Sequence, residues 1–193
     1  MDDKKRLILV NRTHSIPSDW SDHLRLVSFQ YKEELFFLEQ ETYNAFEGLR
    51  KKMLENRLIL GVASAYRSSE EQKKLYEEMA RDYSPEKAKT LCALPGHSEH
   101  ETGLAVDIEM AMEASETQEE LNYPSGYFYR CVHEHLSEYG FILRYPEGKE
   151  QITEYSFEPW HIRYVGNPHA TIIMKQNLAL EEYLEEQKQF LQI

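Results

Sequence analysis

Two histidines and an aspartate, set far apart along the chain, constrain its fold more than any other feature. The stretch Ser98-Glu-His100-Glu-Thr-Gly103-Leu-Ala105-Val-Asp107 is answered well downstream by Glu158-Pro-Trp160-His161. Two imidazoles and one carboxylate are three protein ligands, the number a catalytic zinc takes when its fourth position is left to water. A further carboxylate, Glu158, lies one helical turn's worth of residues before His161, where it can take a proton from that water. Any fold that uses this pattern must bring residues 100, 107 and 161 to one point. The pattern predicts a single zinc ion and a hydrolytic reaction.

The local sequence suggests how those residues are presented. His100 lies in a turn containing Gly103, which permits a backbone approach that a side chain would block. Leu104 to Ile108 alternates, with Leu104, Val106 and Ile108 on one face and Ala105 and Asp107 on the other. The small Ala105 leaves room for a metal beside Asp107. His161 opens another expected strand, with Ile162 and Tyr164 toward the opposite face. Trp160 is expected to wall the site and keep it dry, which strengthens electrostatics at the metal. A His-x6-Asp spacing alone arises often by chance, and it is the addition of Glu158 and His161 that makes the set specific. The other histidines do not compete. His133 and His135 lie two apart on a predicted helix and face different directions. His14, His23 and His169 read as surface or loop groups, and His97 as a group either at the cleft rim or on the surface.

The remaining pattern predicts an α+β chain, with a small central antiparallel sheet flanked by helices. Strands are expected at 7–10, 58–63, 104–108, 141–145 and 161–165. Helices are expected over 41–56, from the capping box Ser68-Ser-Glu-Glu71 to Asp82, from Ser84-Pro85, over 127–139, and from Ala179 onward. Residues 11–22 and the acidic 113–122 read as loops, the second a possible lid. The 193 residues suit one domain, 1–193. A formal charge of −12 argues against a nucleic-acid or anionic membrane partner, which requires a basic patch. Cys92 and Cys131 are expected as free thiols. No segment approaches the length of a membrane span, and Leu7–Val10 is too short for a signal-peptide core. With Met1 as the natural start, the expected location is cytoplasmic, and the expected state is a monomer.

The motif Ser-x-His-x-x-Gly-x-Ala-x-Asp followed by Glu-x-Trp-His resembles the VanY-type zinc D,D-carboxypeptidases and the related VanX dipeptidases. Further matches run through Val10-Asn11 and His14, Tyr66-Arg67-Ser68, Glu71-Gln72, Pro95-Gly96, 139–146, 158–166 and 180–183. A short chain of this kind looks most like the bifunctional VanXY enzymes of vancomycin-resistant enterococci. The resemblance implies hydrolysis of D-Ala-D-Ala dipeptide and of the terminal D-Ala of peptidoglycan stem-peptide precursors. It departs in small ways, with Ala65 where the family often has glycine, and His97 at a variable position.

Taken together, zinc is expected on His100, Asp107 and His161, with Glu158 as general base and acid. By the resemblance, Arg67 stabilises the oxyanion, and Ser98 and Gln72 bind the substrate's C-terminal residue. Tyr66 and Trp160 are expected as cleft walls. Rival readings are an L,D-carboxypeptidase trimming tetrapeptides, an L-alanyl-D-glutamate endopeptidase, and a non-catalytic zinc-containing binding module. The last is disfavoured by the presence of Glu158.

Overall fold

The computed structural model describes residues 1–84, 87–88, 92–111 and 126–190. The acidic segment 113–122 and Pro85 of the Ser84-Pro85 helix start lie outside them. The sheet that carries the site has four antiparallel strands, β3 (Leu60–Ser64), β4 (Ala105–Met110), β5 (Phe141–Leu143) and β6 (His161–Tyr164), in the order β3-β4-β6-β5. A separate hairpin pairs β1 (Leu26–Tyr31) with β2 (Glu34–Glu39). Mixed helices and antiparallel sheets make this the expected α+β class.

Helix α2 (Gln40–Glu55) buries Phe46, Leu49 and Met53 on one stripe. This is the face the 3.6-residue period demands, whereas Leu54 on the other side is 64% exposed. The stripe packs on Leu60 and Val62 of β3, Val106 and Ile108 of β4, and Phe141 and Ile162. Burial of a side chain of this size contributes about 1.5–3 kcal/mol, so this cluster is the main anchor of the sheet. Helix α3 (Ser69–Asp82) begins where the capping box places it: Ser68 Oγ accepts from Glu71 N–H, and the Glu71 carboxylate accepts from Ser68 N–H at 2.8 Å. Helix α4 (Tyr127–His135) tightens into a 3₁₀ turn, Leu136–Tyr139, that stops at left-handed Gly140. Beyond it come α5 (Glu150–Thr153), α6 (His169–Gln176) and α7 (Leu180–Phe190). A second cluster, with Ile142, Val165, Ile173, Leu180 and Tyr183, seats α6 and α7 on the far edge of the sheet. Among the described residues, no helix is long and apolar enough to cross a membrane.

One expectation fails, and one element has no counterpart in the sequence reading. Leu7–Val10 is no strand; Leu7 closes the short helix α1 (Asp3–Arg6) in a turn, and residues 8–10 have no sheet partner. Its backbone is satisfied differently, because the Arg163 guanidinium donates to the carbonyl oxygens of Arg6 at 3.0 Å and Ile8 at 2.9 Å. The β1–β2 hairpin was not anticipated. It turns on Lys32, at φ 53°, and Glu33, without the Gly or Asn that normally marks such a turn.

Candidate active site

Sheet register brings the distant motifs together. Asp107 of β4 stands directly opposite His161 of β6, and on its other side pairs with Ser64 of β3, where a bulge follows Val62. Directly opposed residues in an antiparallel pair have Cβ atoms about 5 Å apart, so a one-residue slip would separate the two side chains. His100 arrives from the adjoining 3₁₀ turn, Glu99–Thr102, which ends at Gly103 with φ 71°. A Cβ on Gly103 would meet the backbone nitrogen of Glu39 at 3.2 Å, and Glu39 N–H donates to Gly103 O at 3.0 Å. The glycine is therefore required both by backbone conformation and by the approach of β2. Glu101 ties this turn down, accepting from Gly96 N–H, Ser98 N–H and the Ser69 hydroxyl at the start of α3.

His100, Asp107 and His161 each offer one donor atom, all within 4.8 Å of one another. His100 Nδ1 donates to the carbonyl of Ala65 at 2.8 Å, and a carbonyl can only accept, so Nε2 is left as the free donor for a cation. That Nε2 lies 3.1 Å from Asp107 Oδ2, and His161 Nδ1 lies 2.8 Å from Asp107 Oδ1. The two rings stand edge to face, 5.1 Å between centroids. Burial works against the Asp107 charge, but His100 and His161 overcome it and hold the carboxyl far below its usual range. For His161, burial favours the neutral ring, yet hydrogen bonds to Asp107 and Glu99 outweigh it and raise the pKa to about 9. The same two carboxylates that favour a positively charged ring would favour a bound cation. A nitrogen, nitrogen, oxygen set with carboxylate and imidazole donors fits zinc with an open position.

The cleft over this trio has a volume of about 270 Å³, suited to a small ligand. Arg67, Gln72, Ser98, Glu158 and Trp160 all line it, together with the three presumed ligands. Burial raises the Glu158 pKa, with Asp107 and Glu99 adding to the effect and His161 opposing it. The Arg67 guanidinium is fixed by Gln72 Oε1 at 2.8 Å and Ser64 Oγ at 2.9 Å. Gln72 is buried, and its amide nitrogen also donates to Ala93 O at 2.7 Å.

Two placements differ from expectation. Tyr66 does not line the cleft; as the neighbour of inward-facing Arg67 in extended chain it turns the other way, near Glu71 and Glu101. Trp160 does line it but is 40% exposed, a rim rather than a buried wall. The buried aromatic wall is Tyr145, whose ring lies 4.9 Å from that of His161 and stacks on Tyr155 at 4.5 Å. Its signal was present in the run 141–145, where a strand's end meets Pro146. His97 lines a smaller neighbouring hollow with Arg12, Leu94 and Tyr155, its Nδ1 2.8 Å from Asn11 O. Small Ala105 faces Arg163 across the ladder, so the crowding it relieves includes that of a buried guanidinium. His133, away from the metal trio, is 2.8 Å from Pro159 O and steadies the turn that carries Glu158 and His161.

Comparison with known proteins agrees with this geometry. The bifunctional D-Ala-D-Ala dipeptidase and D-Ala-D-Ala carboxypeptidase VanXYC of Enterococcus gallinarum is 34% identical over 178 residues, 92% of each chain. The structure of the vancomycin resistance D,D-pentapeptidase VanY, a mutant from the VanB-type cassette in complex with Zn(II), superposes with a TM-score of 0.79 at 35% identity. It covers 93% of this chain and 99% of that one. The LD-carboxypeptidase LdcB superposes with a TM-score of 0.78 at 31% identity, covering 96% of this chain and 88% of that one. The donor set and these relatives together make zinc the cofactor and peptide hydrolysis the reaction. A profile of D-alanyl-D-alanine carboxypeptidases matches residues 36–167, more than half the chain and both metal motifs, and the chain belongs to the VanY family.

Proposed function

We propose that this chain is a zinc-dependent D,D-peptidase that hydrolyses D-Ala-D-Ala dipeptide, the C-terminal D-Ala of peptidoglycan pentapeptide precursors, or both, and so contributes to vancomycin resistance. One observation carries the reading: metal donors, a half-buried carboxylate and a fixed guanidinium converge on a single cleft. When bound, zinc supplies Lewis-acid chemistry, acidifying water and polarising the scissile carbonyl. His100, Asp107 and His161 would hold it. Glu158 receives a proton from the attacking water and delivers it to the departing amine nitrogen. Its raised pKa suits both halves of that transfer, since a carboxyl that is too acidic would not hold the proton in between. Arg67, held by Gln72 and Ser64, sets positive charge where the carbonyl oxygen becomes negative, with little reorganisation. Gln72 is better suited to aiming Arg67 than to meeting substrate, because Arg67, Ala93 and Cys92 already occupy its amide. Ser98 is the proposed contact to the substrate's C-terminal residue, and Trp160 and Tyr145 close the cleft's sides.

The proposed setting is the cytoplasm, which suits Cys92 and Cys131 as unpaired thiols, and the proposed form is a monomer of one domain. A second reading, an L,D-carboxypeptidase acting on tetrapeptides, draws on the similarity to LdcB. Release of D-alanine from D-Ala-D-Ala, a pentapeptide precursor and a tetrapeptide, each with and without chelator, separates the two. Chelator-sensitive cleavage of the first two, with D-Ala-D-lactate spared, is expected. Cleavage of the tetrapeptide alone would replace this reading with the L,D one.

A further inference from the structure

The carboxylate of Glu99 has no part in the mechanism above, yet it is buried against His161. Its Oε2 lies 3.3 Å from His161 Nε2, while Oε1 accepts from Arg144 Nε at 2.7 Å and Arg163 Nη1 at 2.8 Å. Neither arginine ends there. Arg163 also reaches the carbonyls of Arg6 and Ile8, and Arg144 pairs with Glu181 of α7 at 2.7 and 2.9 Å. Two guanidiniums and two carboxylates cancel in charge, which lets Glu99, Arg144 and Arg163 leave water, with Glu181 half-buried beside them. A buried charge is costly to keep, so a purely scaffolding role would be met as well by apolar packing. The carboxylate's second oxygen instead faces a presumed metal ligand.

An imidazole holds a cation through one nitrogen, and the partner of the other nitrogen fixes the tautomer and the ring's aim. His100 is aimed by the Ala65 carbonyl at Nδ1, leaving Nε2 for the ion. His161 runs in the opposite sense: Nδ1 is in the donor trio beside Asp107, and Nε2 is turned to Glu99. Among the described residues, no backbone carbonyl aims this second ring.

We propose that Glu99 is a positioning residue that selects the Nε2–H tautomer of His161 and points Nδ1 at the metal, while Arg144 and Arg163 anchor it to both ends of the chain. The proposal rests on His161 being a ligand, as the proposed function has it. Long-range proton–nitrogen NMR correlation on protein with labelled histidines tests the two separately. On zinc addition, the Nδ1 signal of His161 is expected to move while Nε2 keeps its proton, and His100 is expected to show the reverse tautomer. Glu99→Gln is expected to shift the Nε2–H resonance and weaken zinc binding about 10–100-fold by chelator competition, lowering kcat more than it changes KM. If Glu99→Gln does not fold, the wild-type tautomer and Glu99→Asp, which withdraws the carboxylate but keeps its charge, decide the matter. Zinc-responsive His161 signals with the proton on Nδ1, or a folded variant with unchanged zinc affinity, would overturn the proposal alone. His161 signals indifferent to zinc would overturn the ligand reading with it.

Discussion

Gly103→Ala is the substitution whose effect the structure specifies most fully. At φ 71° an alanine must adopt the left-handed region, which costs about 1–2 kcal/mol. Its Cβ would also sit 3.2 Å from Glu39 N and 3.4 Å from both Glu39 Cβ and Leu26 Cδ2. The first of these is backbone, so the β1–β2 hairpin would have to back away from the turn and strain its hydrogen bond to Gly103 O. Overpacking of that kind adds about 1–3 kcal/mol. Gly148→Ala provides the control: φ is 81°, but a Cβ there meets nothing within 4 Å, so only the conformational cost applies. For a chain of this size, 1 kcal/mol moves Tm by about 2–4 °C. Gly148→Ala is then expected to melt about 2–8 °C below wild type, and Gly103→Ala further below by about 2–12 °C. Because His100 lies in the turn that Gly103 closes and Asp107 in the strand that follows, zinc affinity should fall with Gly103→Ala and stay at the wild-type value with Gly148→Ala. Paired thermal melts and chelator competition on the two variants measure both. Equal melting of the pair, or undiminished zinc affinity in Gly103→Ala, would refute the close-approach argument.

Glu158→Ala should keep its zinc, since the donor trio is intact, while turnover falls by about 10²–10⁴-fold, the usual contribution of a positioned base; near-normal turnover in a zinc-loaded variant would remove Glu158 from that role. Zinc affinity should also depend steeply on pH. Free His161 keeps an extra proton up to a pKa of about 9, and binding must expel it, so affinity rises about tenfold per pH unit until pH passes that value and then levels off. An ordinary imidazole would level off near pH 6.5, so an affinity that is flat between pH 7 and 8.5 would contradict the buried pairing with Asp107 and Glu99.

Much of the site was legible because its chemistry is written in residue types that are scarce and regularly spaced. Asp107 falls on the polar phase of an apolar alternation, and His161 opens a strand of the same kind, so their meeting needed only an antiparallel register. Helix α3 was equally plain, since Ser68 and Glu71 form a reciprocal cap that depends on nothing distant. The hairpin was missed for the opposite reason. Val27, Phe29 and Tyr31 alternate with Ser28 and Gln30, which is a strand signal, but Lys32-Glu33 carries no turn chemistry to connect it to β2. Leu7–Val10 misled because an apolar run looks the same whether its carbonyls meet a strand or a guanidinium.

The charged cluster beneath the site is the instructive omission, since its burial follows from the metal motif itself. Side chains two apart on a strand share a face, so a β6 that turns His161 toward the ion must turn Arg163 inward too. An inward guanidinium requires a carboxylate, and the turn that delivers His100 offers Glu99 at the adjacent position. Arg144, one residue past β5, donates its backbone N–H to His161 O and therefore arrives at the same carboxylate from the neighbouring strand. Two positive charges on one carboxylate leave an excess of one, which Glu181 of α7 neutralises. Charge usually signals surface, and that prior conceals such a cluster. Once a histidine ligand is assigned to a strand, the residues two places from it are committed to the same buried face. Their partners can then be sought by charge balance rather than by pattern.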